Sequence, residues 1–385
     1  MGSFMQARIV TTPAMLAVFS DESTLRHALA FEGALALAQA EAKLISSTVA
    51  QSIADLCASI TLDARVLAEE AAHAGTLAIP LVDRLRAALQ DNCDAAAAIH
   101  RGATSQDLSD TVLMAQAKEA SLILEADLGR AVVALTRISR DHRDTAAMGR
   151  TLLQDAVPIA FGLRTAQWLA GIGSALRQFS RARDEAVMIQ LGGAAGSRAA
   201  FDGRGAEVTA QLSLALGLPC PPAPWHAQRC QVASLAASLG IVIGALGKIA
   251  RDISLLAQNR IGEAREPAIP RRGGSSAMPH KRNPTGCRLA LSAAARAPGL
   301  VGWGLSAVSQ VQERGLSGFQ VDGPVRTDLF LLAGGSANAL ADVLEGLDID
   351  VGSIDRNLAE AQVSTDLGES AAIVDALLEV YGKEG

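Results

Sequence analysis

The residues best suited to chemistry are crowded into one short run, Gly274-Ser275-Ser276-Ala277-Met278-Pro279-His280-Lys281-Arg282-Asn283-Pro284. It offers a hydroxyl at Ser275, an ammonium at Lys281 and a side-chain amide at Asn283. Lys281 can hold a carboxylate as a point charge, and Asn283 can orient it. The flanking stretch is rich in proline and arginine, so ordering it is costly unless something uses it. Loops carried on a rigid frame are common seats of catalysis. The plain alternative is a solvated basic loop capping the helix after Pro284.

Three further blocks carry polar side chains at suggestive spacing. In His100-Arg101-Gly102-Ala103-Thr104-Ser105-Gln106-Asp107, Thr104 and Ser105 stand at an expected helix start. Hydroxyls and free N–H groups there suit a carboxylate, although an ordinary N-cap would look the same. The ordinary histidine pKa of ~6.5 fits His100 for proton transfer near neutrality; the alternative is a structural histidine. Gly149 to Pro158 contains Arg150, Gln154 and Asp155. Pro224-Trp225-His226-x-x-Arg229 ends in a guanidinium able to grip a carboxylate bidentately, while Trp225 and His226 would equally serve packing at a helix entrance.

Helices must position these blocks. Alanine is abundant, aromatics are 3%, and strand signals are sparse. The patterns predict an all-α chain with helices over 21–50, 52–73, 80–90, 107–142, 159–190, 227–260 and 285–312, and a connector over 144–158. In 227–260 the apolar residues recur at spacings of three and four. The helices 107–142, 159–190, 227–260 and 285–312 are expected to form a bundle. Three parts are expected: an N-terminal helical domain (1–100), a central bundle domain (101–315) carrying the loop at 270–284, and the end of the bundle with a short C-terminal helical domain (316–385). The glycine-rich run 191–197 lacks G-x-G-x-x-G spacing and reads as close packing or a bend, not a dinucleotide loop. The segment 219–224, with four prolines, is rigid and non-helical.

Net charge is −6, with no Lys/Arg block. Nucleic acid is not an expected partner, whereas a locally positive pocket for an anion remains compatible with an acidic chain. The uncharged run 231–247 is shorter than the ~20 residues of a bilayer span and reads as a buried core helix; no membrane partner or signal peptide is expected. Five cysteines without C-x-x-C spacing fit a reducing cytoplasm and no zinc site. The six histidines show no metal-binding spacing, so no metal is expected.

The 274–284 run resembles the signature loop of the fumarase/aspartase superfamily, G-S-S-x-M-P-x-K-x-N-P, at every fixed position. His100 to Asp107 resembles that superfamily's H-x-G-x-T-S-x-D segment. Gly149 to Pro158 resembles the G-R-T-H-G-Q-x-A-x-P stretch of its adenylosuccinate lyases, except that Leu152 stands where those lyases carry a catalytic histidine, and Asp155 is unusual. R-T-x-x-Q-x-A-x-P and P-W-H-x-x-R are both typical of the carboxymuconate cycloisomerase branch. Glu313-Arg314 also matches relatives, while 318–322 departs from them.

The resemblance implies a helical, cofactor-free homotetramer whose sites combine blocks from different subunits. The activity implied is cycloisomerisation of a small polycarboxylate, 3-carboxy-cis,cis-muconate, to its lactone in aromatic catabolism. Ser275 is implied as the residue handling the carbon proton, with His100 the other candidate. Thr104, Ser105, Gln154, Arg229, Lys281 and Asn283 are implied as substrate-binding. His280 ranks lower, and His27, His73 and His142 are expected to be structural. A fumarate-releasing lyase and a non-catalytic helical oligomer are the rival readings.

Overall fold

Residues with high helix propensity and apolar stripes at helical spacing dominate the chain, and helices follow. The structure is a computed structural model that describes residues 4–270, 272–278, 281–316, 318–363 and 366–383. The N-terminal region holds α1 (Phe4–Val10), α2 (Pro13–Val18), α3 (Asp21–Glu41), α4 (Ser47–Ser59), α5 (Ala64–Ala74), α6 (Ala78–Ala88) and α7 (Cys93–Ala98). Next come α8 (Ser105–Asp141), strands β1 (Ala146–Thr151) and β2 (Gln154–Ala160), α9 (Phe161–Ala186) and α10 (Gly205–Leu216). The remainder is α11 (Cys230–Leu256), β3 (Ala264–Arg265), α12 (Thr285–Ser306), α13 (Gly318–Glu345), β4 (Asp348–Ile349), α14 (Val351–Glu360) and α15 (Ser370–Tyr381).

The bundle has five long helices: α8, α9, α11, α12 and α13. Its centre is α11, where Leu235, Leu239, Val242, Leu246, Ile249 and Ile253 are all buried. Each such side chain contributes about 1.5–3 kcal/mol relative to exposure. By length and composition α11 could cross a membrane, but it packs between α9, α12 and α13, as expected of a core helix. One apolar core runs from Met15 to Ile354, joining the N-terminal helices to the bundle.

Several expected boundaries are corrected. The helix expected over 21–50 stops at Glu41, because Lys43 turns left-handed (φ 55°) and Ser46 caps α4 through the Val49 amide. The span 52–73 is broken at Ile60, and Asp63 starts α5 by accepting from the Arg65 amide. The connector 144–158 contains most of an antiparallel hairpin in which Arg150 faces Asp155 and Thr151 faces Gln154. Its turn, Leu152-Leu153, is left-handed at both residues (φ 51° and 63°). The end of the bundle expected within 316–385 is a fifth long helix, α13. Its glycines let the N-terminal segment lie directly on it: a Cβ at Gly335 would meet the Val10 carbonyl oxygen at 2.0 Å. The run 191–197 bends as expected, with Gly193 and Gly196 both at positive φ.

Candidate active site

The start of α8 is built around the Asp107 carboxylate, which is fully buried. It accepts from the backbone amides of Thr104 (2.9 Å), Gly192 (2.8 Å) and Gly193 (2.9 Å), and its Oδ1 lies 2.7 Å from His226 Nε2. One acid thus ties the helix start to the glycine-rich bend and to the Trp225-His226 block. Glycine is required at the bend, since a Cβ at Gly192 would lie 2.6 Å from the His226 ring. Thr104 is the N-cap residue, and its Oγ1 accepts from Arg314, which follows the C-terminal end of α12. Ser105 opens α8 with its side chain half-buried.

Arg229 requires a correction. It does bind a carboxylate bidentately, but the acid is the protein's own Asp110, at 2.7 and 2.9 Å. Two more bonds reach Asp322, at 2.9 and 2.6 Å. The side chain is 1% exposed and stacks on Trp225. Four of its N–H groups are committed inside the protomer, so it holds the bundle together and presents no fork to a ligand. Asp322 comes from the divergent 318–322 segment, which therefore supplies a counter-charge to the bundle core. Arg326, alongside, is fully buried, and desolvation pulls its pKa down to about 10 despite Asp322.

His100 has a left-handed backbone (φ 57°). Its Nδ1 lies 2.6 Å from Oε1 of Glu32 in α3. Burial opposes the charged ring, but the hydrogen bond and charge of Glu32, helped by Asp107, prevail and raise its pKa above the ordinary value.

The signature loop is held mainly by its ends. Arg272 bonds Asp342 (3.1 Å) and the Ala339 carbonyl (3.2 Å). The Asn283 amide donates to Gly273 O (2.7 Å), and Glu266 caps α12 by accepting from the Gly286 and Cys287 amides. Ser275 Oγ accepts from the Met278 amide (3.1 Å), and Asn283 Nδ2 donates to Gly274 O (3.3 Å). Lys281 is exposed and makes no ion pair among the described residues. His280 and Pro279 lie outside the described residues.

Gln154 is exposed beside the hairpin turn, where Leu152 is 94% exposed. The unusual Asp155 is explained by Arg150, its partner across the ladder, whose Nε donates to it at 3.0 Å. Arg150 also forks onto the buried Glu263 (3.0 and 2.6 Å), which anchors the hairpin. His27 faces Glu119 and His142 faces Thr145, as structural histidines would.

One chain does not assemble these blocks. The loop leads into the N-terminus of α12, while Arg314, on Thr104, follows its C-terminus. The 22 residues of α12 span about 33 Å. Consistently, Arg272 shares Asp342 with Arg130, and 130 − 104 = 26 residues of α8 is about 39 Å. Among the described residues, Ser275, Lys281 and Asn283 touch neither Thr104, Ser105 nor Gln154. Sequence reading missed Glu32, Asp110, Asp322 and the linking roles of Asp107 and Arg314. Glu32 carried a signal, being a lone acid inside the apolar run 28–38.

Comparisons with known proteins agree with the helical fold. A family described as "Lyase" matches residues 7–299. The chain is 40% identical over 378 residues to a 3-carboxy-cis,cis-muconate cycloisomerase of Bradyrhizobium diazoefficiens, covering 98% of this chain and 83% of that protein. It is 39% identical over 371 residues to the Pseudomonas aeruginosa protein of the same name, covering 96% and 80%. The crystal structure of the 3-carboxy-cis,cis-muconate lactonizing enzyme from Pseudomonas putida superposes with a TM-score of 0.89 at 34% identity, over 100% of this chain and 89% of that one. The helical fold, the complete signature loop and these matches together place the chain in the lyase family of the fumarase/aspartase superfamily, to which it belongs.

Proposed function

We propose that this chain is a cycloisomerase that closes 3-carboxy-cis,cis-muconate to 4-carboxymuconolactone. The observation that carries this reading is identity along nearly the whole chain to proteins named for that reaction. Leu152 supports it from the chemical side, since no proton-moving group stands at the hairpin turn.

In ring closure, one substrate carboxylate oxygen bonds to an alkene carbon. The alkene electrons move toward the neighbouring carbon and its carboxyl group, forming a dianionic enolate. A proton then adds to that carbon. Stabilising the enolate is the main task. Lys281 supplies charge, Asn283 and Gln154 supply amide donors, and Thr104, Ser105 and the start of α8 supply hydroxyls and N–H groups. Ser275 delivers the proton, activated by loop amides and Lys281. His100 lies beside the anion-binding turn.

Because the loop and Thr104 sit at opposite ends of α12, the working site combines two or more copies of the chain, in a homotetramer. Exposed Trp303, Leu305 and Leu316 support burial between copies. Five free cysteines support a cytoplasmic setting.

An ultraviolet assay of the purified protein with 3-carboxymuconate tests the substrate. Loss of diene absorbance with lactone formation is expected. Cleavage of adenylosuccinate to fumarate, with 3-carboxymuconate untouched, would overturn the assignment.

A further inference from the structure

Glu32 sits where an acid is costly. Its α3 neighbours Phe31, Gly33, Ala34 and Leu35 are buried, and its own side chain is fully buried. Oε1 meets His100 Nδ1, and Oε2 is buried with no hydrogen-bond partner among the described residues. A buried carboxylate is tolerated when a cation or strong donor faces it, and His100 is the only group hydrogen-bonded to this one among those described.

The turn carrying His100 is gripped by α3 and the loop after it. Gln39 Nε2 donates to the Arg101 carbonyl (3.2 Å), and Arg101 Nη1 donates to the Leu44 carbonyl (3.1 Å). Gly102 (φ 77°) lies against Phe201, which a Cβ would approach to 2.7 Å. This frame points Nδ1 inward and leaves Nε2 without a hydrogen bond among the described residues, in a ring that is 14% exposed. The charged groups facing His100 are Glu32 from α3 and Asp107 from α8, which favour the imidazolium, and Arg86 from α6, which opposes it. Cys57, next to Glu32, is no competing nucleophile: burial, then Glu32, pushes its thiol up to about 12.

We propose that Glu32 is a positioning residue that fixes His100 with Nε2–H outward as a cationic donor, which binds a substrate carboxylate beside Thr104 and Ser105. This rests on the cycloisomerase reading for the identity of the anion, but the Glu32–His100 coupling is testable without it. Glu32 is then a polar contribution of the N-terminal helices to the site.

The test uses the full chain with isotope-labelled histidine. Ring signals of His100 are expected to titrate above the ordinary value of ~6.5, and in Glu32→Gln to shift down by at least roughly one pH unit, the size of a lost charged partner. In the ultraviolet assay, KM is expected to rise with pH through the His100 midpoint, and that rise is expected to begin at lower pH in Glu32→Gln. The change falls on KM more than on kcat, and Glu32→Asp restores part of it. His100→Gln is expected to abolish the pH dependence of KM, and adding Glu32→Gln to it changes nothing further. An unmoved His100 midpoint in Glu32→Gln overturns the proposal, as does a loss confined to kcat. If wild type converts no 3-carboxymuconate, the reaction reading fails, and the ring titration alone still decides the coupling.

Discussion

The start of α8 and the signature loop hold the side chains proposed to bind substrate in opposite ways. At the start of α8, Asp107 gathers three backbone amides and His226 in a buried knot, and Arg229 locks Asp110 to Asp322 one turn further on. In the loop, Ser275 and Asn283 bond, among the described residues, only to nearby loop backbone, and Lys281 is exposed. The first region is shaped within the protomer before any substrate arrives. The second has its ends fixed by Arg272 and Glu266, and its chemical groups are left facing outward. Pre-organised donors act best when their geometry costs nothing at the moment of reaction, whereas a loop that closes on its substrate excludes water. The pre-organised region and the outward-facing loop lie toward opposite ends of α12.

The sharpest way to break this contrast is Arg229→Met. It strands two buried carboxylates and is expected to cost about 3–5 kcal/mol, read as a lower midpoint in denaturant unfolding. A loss below 1 kcal/mol would show that the knot is not structural. Ser275→Ala is expected to do the reverse, lowering kcat by roughly 100-fold or more with the thermal midpoint within about 1–2 °C of wild type, since among the described residues Oγ accepts only loop amides. A large fall in midpoint would mean the loop is a structural strut. Arg314→Ala removes the link between the end of α12 and Thr104. Stability should change by less than about 0.5 kcal/mol, while KM rises several-fold if that link holds Thr104 for substrate; an unchanged KM separates Thr104 from binding.

The smallest effect is in pH. The His100 pKa is raised in the folded state, so its stabilising contribution is full below the unfolded value and fades as pH rises through the folded value. Urea midpoints of wild type are therefore expected to fall as pH rises above the ordinary histidine value of ~6.5, and those of Glu32→Gln to stay flatter. Equal slopes would remove the ion pair from the stability of the turn.

Much of this was legible in the sequence. The stripe on α11 fixed a buried helix, because apolar residues every three or four positions have one way to leave water. Thr104-Ser105 marked the start of α8, because hydroxyl residues suit free helix N–H groups. The signature loop stood out because so many polar groups in a proline-rich segment have no packing purpose. The hairpin was hidden, since two left-handed positions usually call for Asn-Gly and here Leu152 and Leu153 fill them. The bounds of α13, within the expected end of the bundle, were obscured by its glycines and Pro324, whose poor propensity is outweighed by burial against α8, α12 and the N-terminal segment.

Sequence alone determined which side chains carry charge, hydroxyls and amides, and which faces must be buried, because these follow from residue type and local period. Only the tertiary structure decided who partners whom. Arg229 turned from a ligand's partner into that of Asp110 and Asp322, Glu32 came to face His100 across 68 positions, and the loop was carried to the far end of α12 from Thr104. Those outcomes depend on distances between elements distant in sequence, and a guanidinium binds the carboxylate that packing brings within 3 Å.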